Sequence, residues 1–409
     1  MRLGAALRCR AEWHVLGKGS VGSLWAASLQ RAGHGVTLLA RPRGGLPQEV
    51  ELEVWPGWST ADGEALPQPW RARVAMEPTH SIDGAAAPPG AGQPIKNLLV
   101  CTKAGDAVEA CRLVAPRLGS GAVIVLLQNG IGIAEAVAAD PAVAAVSPRL
   151  VIGSNTNGSY QNGLRVVHAG RGQTLLGRWA STGGLLKEKE EEDSVVDAAI
   201  ESLAAATMLD VQACGPDEIE RRVWEKLAVN IALNPLTALT RCRNGKVLES
   251  TESGQISREM IRQLTQEVAA VMAACCPHLL ASPSSSPSSA SEQGSAFERF
   301  ALHVAAQTSS NFSSMYQDTE TVGSATEIEF MNGYLHRKGL EHAVPTPTVT
   351  MFCAPATACL CPALHRTGHV AALFADLASC DHRRNDQVPG TTRGLMRERT
   401  QTRGTCSGP

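Results

Sequence analysis

Lys226, Asn230 and Asn234 stand four residues apart in the apolar run Trp224–Pro235. At 3.6 residues per turn, that spacing stacks the three polar groups on one helix face. Leu227, Val229, Ile231 and Leu233 beside them predict a largely buried helix. Burying a lysine and two amides costs on the order of several kcal/mol each unless each finds a partner. A lysine desolvated beside carboxamides holds its proton less firmly, which suits it to donate that proton to a carbonyl oxygen. The stripe predicts an active-site wall, with purely structural pairing as the alternative.

A second constellation lies near the other end. His14-Val15-Leu16 reads as the end of a buried strand and runs into Gly17-Lys18-Gly19-Ser20-Val21-Gly22. Ser23–Ala32 reads as a helix stopped at Gly33, and Val36–Ala40 as a second strand. A glycine turn between strand and helix lets the backbone approach a pyrophosphate seated on the positive end of the helix. At the end of the second strand an acidic residue would accept from a ribose hydroxyl. This chain has Arg41 there, with Arg43 close behind, which favours a ribose 2′-phosphate and hence NADPH. Two further strands, Asn97–Cys101 and Ala122–Leu127, end in Thr102-Lys103 and Gln128-Asn129-Gly130, at the carboxyl ends where open α/β sheets bind ligands.

In order along the chain, Gly17–Gly22, Thr102-Lys103-Ala104, Gln128-Asn129-Gly130, Trp224–Pro235, Asn244-Gly245, Ser313-Ser314-Met315, Gln317-Asp318 and Thr326-Glu327-Ile328 resemble the ketopantoate reductase family. The resemblance runs from about Trp13 to about Pro347. It implies NADPH-dependent hydride transfer to the ketone carbon of 2-dehydropantoate, giving (R)-pantoate for pantothenate and coenzyme A synthesis. Lys226 matches the family's catalytic acid. Glu327 matches a group that hydrogen-bonds the substrate hydroxyl, orients the lysine and lies against the cofactor. Asn230 and Asn234 would anchor the substrate's hydroxyl and keto groups, and Asn244 and Ser314 its carboxylate region, with Ser313 as the competitor of Ser314. Gly17, Lys18, Gly19, Ser20, Val21, Gly22 and Arg41 would hold NADPH. Lys103 and Asn129 would lie beside the nicotinamide ribose, Asn129 also reaching the substrate. As plain sequence, Glu327 and Glu329 read as two acids early in a helix.

These elements predict an α/β fold: a doubly wound Rossmann-type sheet over residues 13–215, then an all-helical substrate domain over 216–351, with the site in the cleft between. Gly158–Gly163 reads as a turn between strands, and Leu186–Asp193 as a solvated charge run. A Ser/Pro-rich stretch at about 278–294 reads as a disordered insertion, and 352–409 as a disordered or atypical tail lacking the amphipathic last helix. A net charge of −2 over 409 residues, without a basic patch, argues against a nucleic-acid partner. No run of some 20 uncharged apolar residues predicts a membrane span. Met1–Glu12 is too short for a transit peptide and lacks a signal peptide's apolar core, so a cytoplasmic enzyme is expected, or an organellar one if the N-terminus is truncated. Twelve cysteines without a C-x-x-C pair read as free thiols, with no metal. The partner is a small 2-keto acid, and the chain a monomer or homodimer. Two alternatives stay open: a reductase of another branched 2-keto acid, or an NADPH-binding protein without turnover.

Overall fold

Alternating apolar strands and amphipathic helices dictate the first half of the chain. The structure is a computed structural model that describes residues 10–42, 46–57, 68–79, 94–179, 194–280, 289–321 and 325–353. Strand β1 (Glu12–Leu16) leads through the glycine turn into α1 (Ser20–Arg31) and back through β2 (Gly35–Ala40). Then come β3 (Glu49–Pro56), β4 (Trp70–Pro78), β5 (Ile95–Val100), α2 (Ala104–Val114), β6 (Leu118–Leu126), α3 (Ile133–Ala139) and α4 (Pro141–Ala144). The sheet is completed by β7 (Arg149–Asn155), β8 (Gly158–Asn162), β9 (Arg165–Gly170), β10 (Thr174–Arg178) and, after α5 (Ser194–Ala204), β11 (Val211–Ala213).

Among the described residues the eleven strands form one mixed sheet in the order β11-β10-β7-β6-β5-β1-β2-β4-β3-β9-β8. Its core, β7-β6-β5-β1-β2-β4, is parallel throughout. Val15, Leu38, Leu99 and Val125 are fully buried between covering layers, as a two-sided parallel sheet requires. Register aligns Leu39, Leu16, Val100 and Leu126 across four neighbouring strands. The loops that follow them, carrying Arg41, Gly17, Thr102 and Gln128, therefore emerge along one sheet edge. The antiparallel partners β3, β8 and β10 extend this frame on both sides.

The second half is helical: α6 (Pro216–Leu239), α7 (Glu252–Cys275), α8 (Ala290–Gln307), α9 (Ser314–Glu320), α10 (Asn332–Glu341) and α11 (Pro347–Cys353). Helix α6 lies against β7 and β10 on one side and α7, α8 and α9 on the other. From Leu227 to Ala238 all but Asn230 are buried, so the helix is apolar nearly all round. No helix among the described residues is long and apolar enough to cross a membrane. The described cysteines are all free.

Three expectations change. Gly158–Asn162 is strand β8, paired antiparallel with β9, and only Gly163-Leu164 forms the turn, with Gly163 at φ +61. A glycine is favoured at the first turn position of such a hairpin because it enters the left-handed region without strain. Within the stretch 278–294, Pro277–Leu279 is a 3-10 turn and α8 starts at Ala290, while 281–288 lie outside the described residues. Ser289 caps α8 by accepting from Glu292 N, which overrides the polar composition. Glu327 precedes a 3-10 turn, Ile328–Phe330, and is not in a helix. Beyond Pro347 the chain makes one more helix, α11, which buries Val349 and Phe352; two of its N–H groups are capped by the Glu267 carboxylate at 2.8 and 2.9 Å. Arg43, Leu186–Asp193 and the tail from 354 onward lie outside the described residues.

Candidate active site

At the carboxyl end of β1, Gly17 adopts φ +113 and donates to Leu39 O at 3.0 Å. Gly22 packs directly on the Gly17 carbonyl, where any Cβ would collide. Gly19, the N-cap of α1, faces open space. The turn is thus closed against its own strand and open outward at the helix N-terminus, where unpaired N–H groups can take phosphate oxygens. Lys18 and Gly19 are exposed and Ser20 and Val21 half-buried, so the whole motif borders the opening. At the end of β2 the exposed Arg41 pairs with Asp106 on the first turn of α2 at 2.6 Å. Thr102 Oγ and Gln128 Oε1 are buried without a protein partner, while Gln128 Nε2 donates to Val100 O at 2.8 Å. The cradle and these orphaned polar atoms fit a dinucleotide.

The stripe on α6 meets this edge. Lys226 Nζ donates to the main-chain carbonyl of Asn155, at the end of β7, at 2.6 Å. Burial pushes its pKa down to about 8, opposed by the negative charge of Glu327. Glu327 joins the two halves: Oε1 accepts from Ala104 N at 2.9 Å and Oε2 from Asn129 Nδ2 at 3.1 Å. Lys103 is held by Asp318 of α9 and donates to Ala325 O at 3.4 Å. Its ammonium is therefore engaged by the helical side, rather than left pointing at the sheet edge.

Further along α6, Asn230 is half-buried and bonds to no side chain among the described residues. Asn234 Nδ2 donates to Ser314 Oγ at 3.4 Å. Its neighbour Ser313 is turned inward instead, capping α9 through Tyr316 N at 3.2 Å and bonding Thr237 at 2.8 Å. Asn244 is buried; its Nδ2 donates to Thr308 Oγ1 at 2.9 Å, and its Oδ1 has no protein partner. The structure thus gathers Lys226, Glu327, Asn129 and Ala104 into one cluster and Asn234 with Ser314 into another. Asn244 stands with Thr308.

Sequence reasoning missed Asn155, Asp318, Asp106 and Thr237. Thr237 continues the stripe at one turn beyond Asn234, and Asp318 lies in the quoted Gln317-Asp318 string, so both carried a signal. Asn155 acts through a carbonyl that any residue would have. A cavity of about 660 Å³ adjoins the cluster behind Gln128, Gly130 and Trp224, and ends on the Glu220–His278 pair at 2.9 Å. Lys226, Glu327 and Asn129 do not line it.

A parallel sheet with a glycine cradle at its strand ends, facing a helix-borne, half-buried lysine and a shared carboxylate, defines a Rossmann-type oxidoreductase. The chain belongs to the ketopantoate reductase family: residues 13–181 match the family described as Ketopantoate reductase PanE/ApbA, and 218–358 its C-terminal part. A 2-dehydropantoate 2-reductase of Vibrio cholerae is 29% identical over 334 residues, covering 81% of this chain and 92% of that protein. Among solved structures, D-mandelate dehydrogenase with NADH and anilino(oxo)acetate has TM-score 0.65 at 17% identity, covering 85% of this chain and 98% of that one. A ketopantoate reductase of Ralstonia eutropha has TM-score 0.60 at 22% identity, with the same coverage. At these identities the structural matches show a shared fold.

Proposed function

We propose that the protein reduces 2-dehydropantoate to (R)-pantoate, with NADPH supplying the hydride. The observation that carries this reading is the Lys226 ammonium, held by the Asn155 carbonyl at 2.6 Å and lowered in pKa by burial, within the field of a Glu327 already held by Ala104 N–H and Asn129. Relatives named for this reaction support the substrate. Arg41 at the end of β2, where a 2′-phosphate would displace Asp106, supports NADPH.

Elements up to β11 bind the cofactor, and those from α6 onward the substrate. As negative charge develops on the keto oxygen, Lys226 Nζ gives its proton there; general-acid catalysis of this kind is worth about 10² to 10⁴ in rate. The Asn155 carbonyl keeps one N–H of the ammonium, leaving the others to the site. Asn230 and Asn234 offer donor and acceptor together without a competing charge, which suits the substrate's hydroxyl and keto groups. Glu327 accepts from the substrate hydroxyl while Asn129 fixes its orientation. Asn244 and Ser314 meet the carboxylate end.

Loss of NADPH absorbance on adding ketopantoate to purified protein tests the reading, with NADH and 2-ketoisovalerate in parallel. NADPH-selective turnover on ketopantoate is expected. Equal rates on 2-ketoisovalerate would move the assignment to another branched keto acid, and tight NADPH binding without turnover to a binding protein.

A further inference from the structure

Lys226 is placed by a carbonyl, and that carbonyl needs placing in turn. Asn155 is the last residue of β7, and its pairing with Thr174 is the end of the β7–β10 ladder. The chain then turns through Thr156 and Asn157 into β8, held mainly by side chains. Asn155 Oδ1 accepts from Asn157 N at 3.0 Å, Asn157 Nδ2 at 3.1 Å and Thr174 Oγ1 at 3.2 Å. Asn157 is buried; its Nδ2 also reaches Leu209 O at 3.1 Å and Thr174 Oγ1 at 3.3 Å. Its Oδ1 accepts from Gly172 N at 3.0 Å and lies 3.0 Å from His168 Nε2. The Gly172 N–H fixes Oδ1 as the accepting end, so the imidazole donates to it from Nε2. Burial lowers the His168 pKa, which favours the neutral ring. Thr156 clamps the outer side of the turn, its N and Oγ1 lying 2.9 and 3.0 Å from Gln173 O.

We propose that Asn157 is a positioning residue for Lys226. By tying Asn155 to Gly172, Thr174 and Leu209, it fixes the carbonyl that holds the ammonium, and so the direction of the remaining N–H bonds. Among the described residues Asn157 itself bonds only within this network. A fully satisfied buried amide is costly to disturb, which makes the turn a rigid post. Misplacing a proton donor by about 1 Å can cost roughly a hundredfold in rate. The inference rests on Lys226 being the acid.

The test compares Asn157→Ala, Thr174→Val and Thr174→Ser in the full chain. Thr174→Val keeps the shape but removes the hydroxyl that bridges the two amides; Thr174→Ser keeps the hydroxyl. The readouts are kcat and KM, the pH of the basic limb of kcat, melting temperature, and the pH profile of Lys226 acylation by mass spectrometry, which needs no turnover. Asn157→Ala is expected to lower kcat about ten- to a hundredfold, with KM for NADPH within about twofold, and to displace both pH profiles. Thr174→Val should do the same several-fold more weakly, and Thr174→Ser should restore the wild-type values. If kcat and both pH profiles stay at wild type, or only melting temperature changes, the proposal is overturned. If Asn157→Ala fails to fold, the Thr174 pair decides. A displaced acylation profile in a protein inactive on ketopantoate would keep the positioning role and remove the assigned reaction.

Discussion

Lys226 and Lys103 both lie close to Glu327, one through its charge and the other through the neighbouring Ala104 N–H, yet their settings are opposite. Lys226 stands mid-helix, half-buried, and gives its bond to a neutral carbonyl. Lys103 stands at a strand end with its side chain 42% exposed, and it meets the Asp318 carboxylate. Asp318 holds the Lys103 ammonium in place as an ion pair, whereas burial loosens the proton of Lys226, whose bond goes to a neutral carbonyl. Glu327 is also occupied by Ala104 and Asn129, so it lifts the Lys226 pKa without closing an ion pair on it. On the proposed reading Lys226 is the proton donor and Lys103 a binding residue, and the contrast in their partners supports it.

The largest expected effect breaks this contrast if it fails. Lys226→Ala should lower kcat by about 10² to 10⁴ while leaving NADPH affinity nearly unchanged. Lys103→Ala should instead raise KM by roughly threefold to tenfold and keep most of kcat. Equal losses of kcat in both would erase the distinction.

Glu327→Gln sharpens it. In the proposed mechanism reduction needs the Lys226 ammonium, so kcat should decline as pH rises through about 8. Glu327 is the charge that raises this pKa against burial. Its neutral replacement should therefore move the basic limb to lower pH and reduce kcat roughly tenfold at neutral pH. A limb moving upward in a pH–rate profile would contradict the assignment.

Arg41 extends the comparison to the cofactor end. Both members of the Arg41–Asp106 pair are about half exposed, so the pair itself adds little stability. A phosphate fork is stronger, and Arg41→Ala should weaken NADPH about tenfold, with NADH within about twofold. Parallel weakening of both cofactors in a binding titration would remove Arg41 from the specificity role.

These contrasts were unequally visible in the sequence. The α6 stripe was legible because Lys226, Asn230 and Asn234 repeat at the helical period within an apolar run. The cradle was legible because its glycines sit between a strand and a helix. Strand β8 was hidden because it lies at the sheet edge, where Gly158–Asn162 has no buried residue and so no apolar alternation. The start of α8 did carry a sign, Ser289 three residues before Glu292, masked by the serines around it. The pairings Lys226–Asn155 and Lys103–Asp318 span 71 and 215 positions (318 less 103), and nothing local encodes them.

The smallest effect separates two adjacent serines. Ser313 and Ser314 are chemically identical, and the resemblance left their roles open. Ser313 is buried, caps α9 and bonds the buried Thr237, so its hydroxyl works for the fold. Ser314 is exposed and, among the described residues, hydrogen-bonds the Asn234 amide alone, at 3.4 Å, so its hydroxyl is available to a ligand. Ser313→Ala should cost about 1 kcal/mol of stability, the usual worth of a helix N-cap, and lower the melting temperature with KM unchanged. Ser314→Ala should leave the melting temperature alone and raise KM for ketopantoate by about threefold, since so long a hydrogen bond is worth little by itself. Thermal melts and steady-state kinetics on both variants decide it. The reverse pattern would mean that Ser313 turns to the substrate and that α9 enters the site one residue earlier.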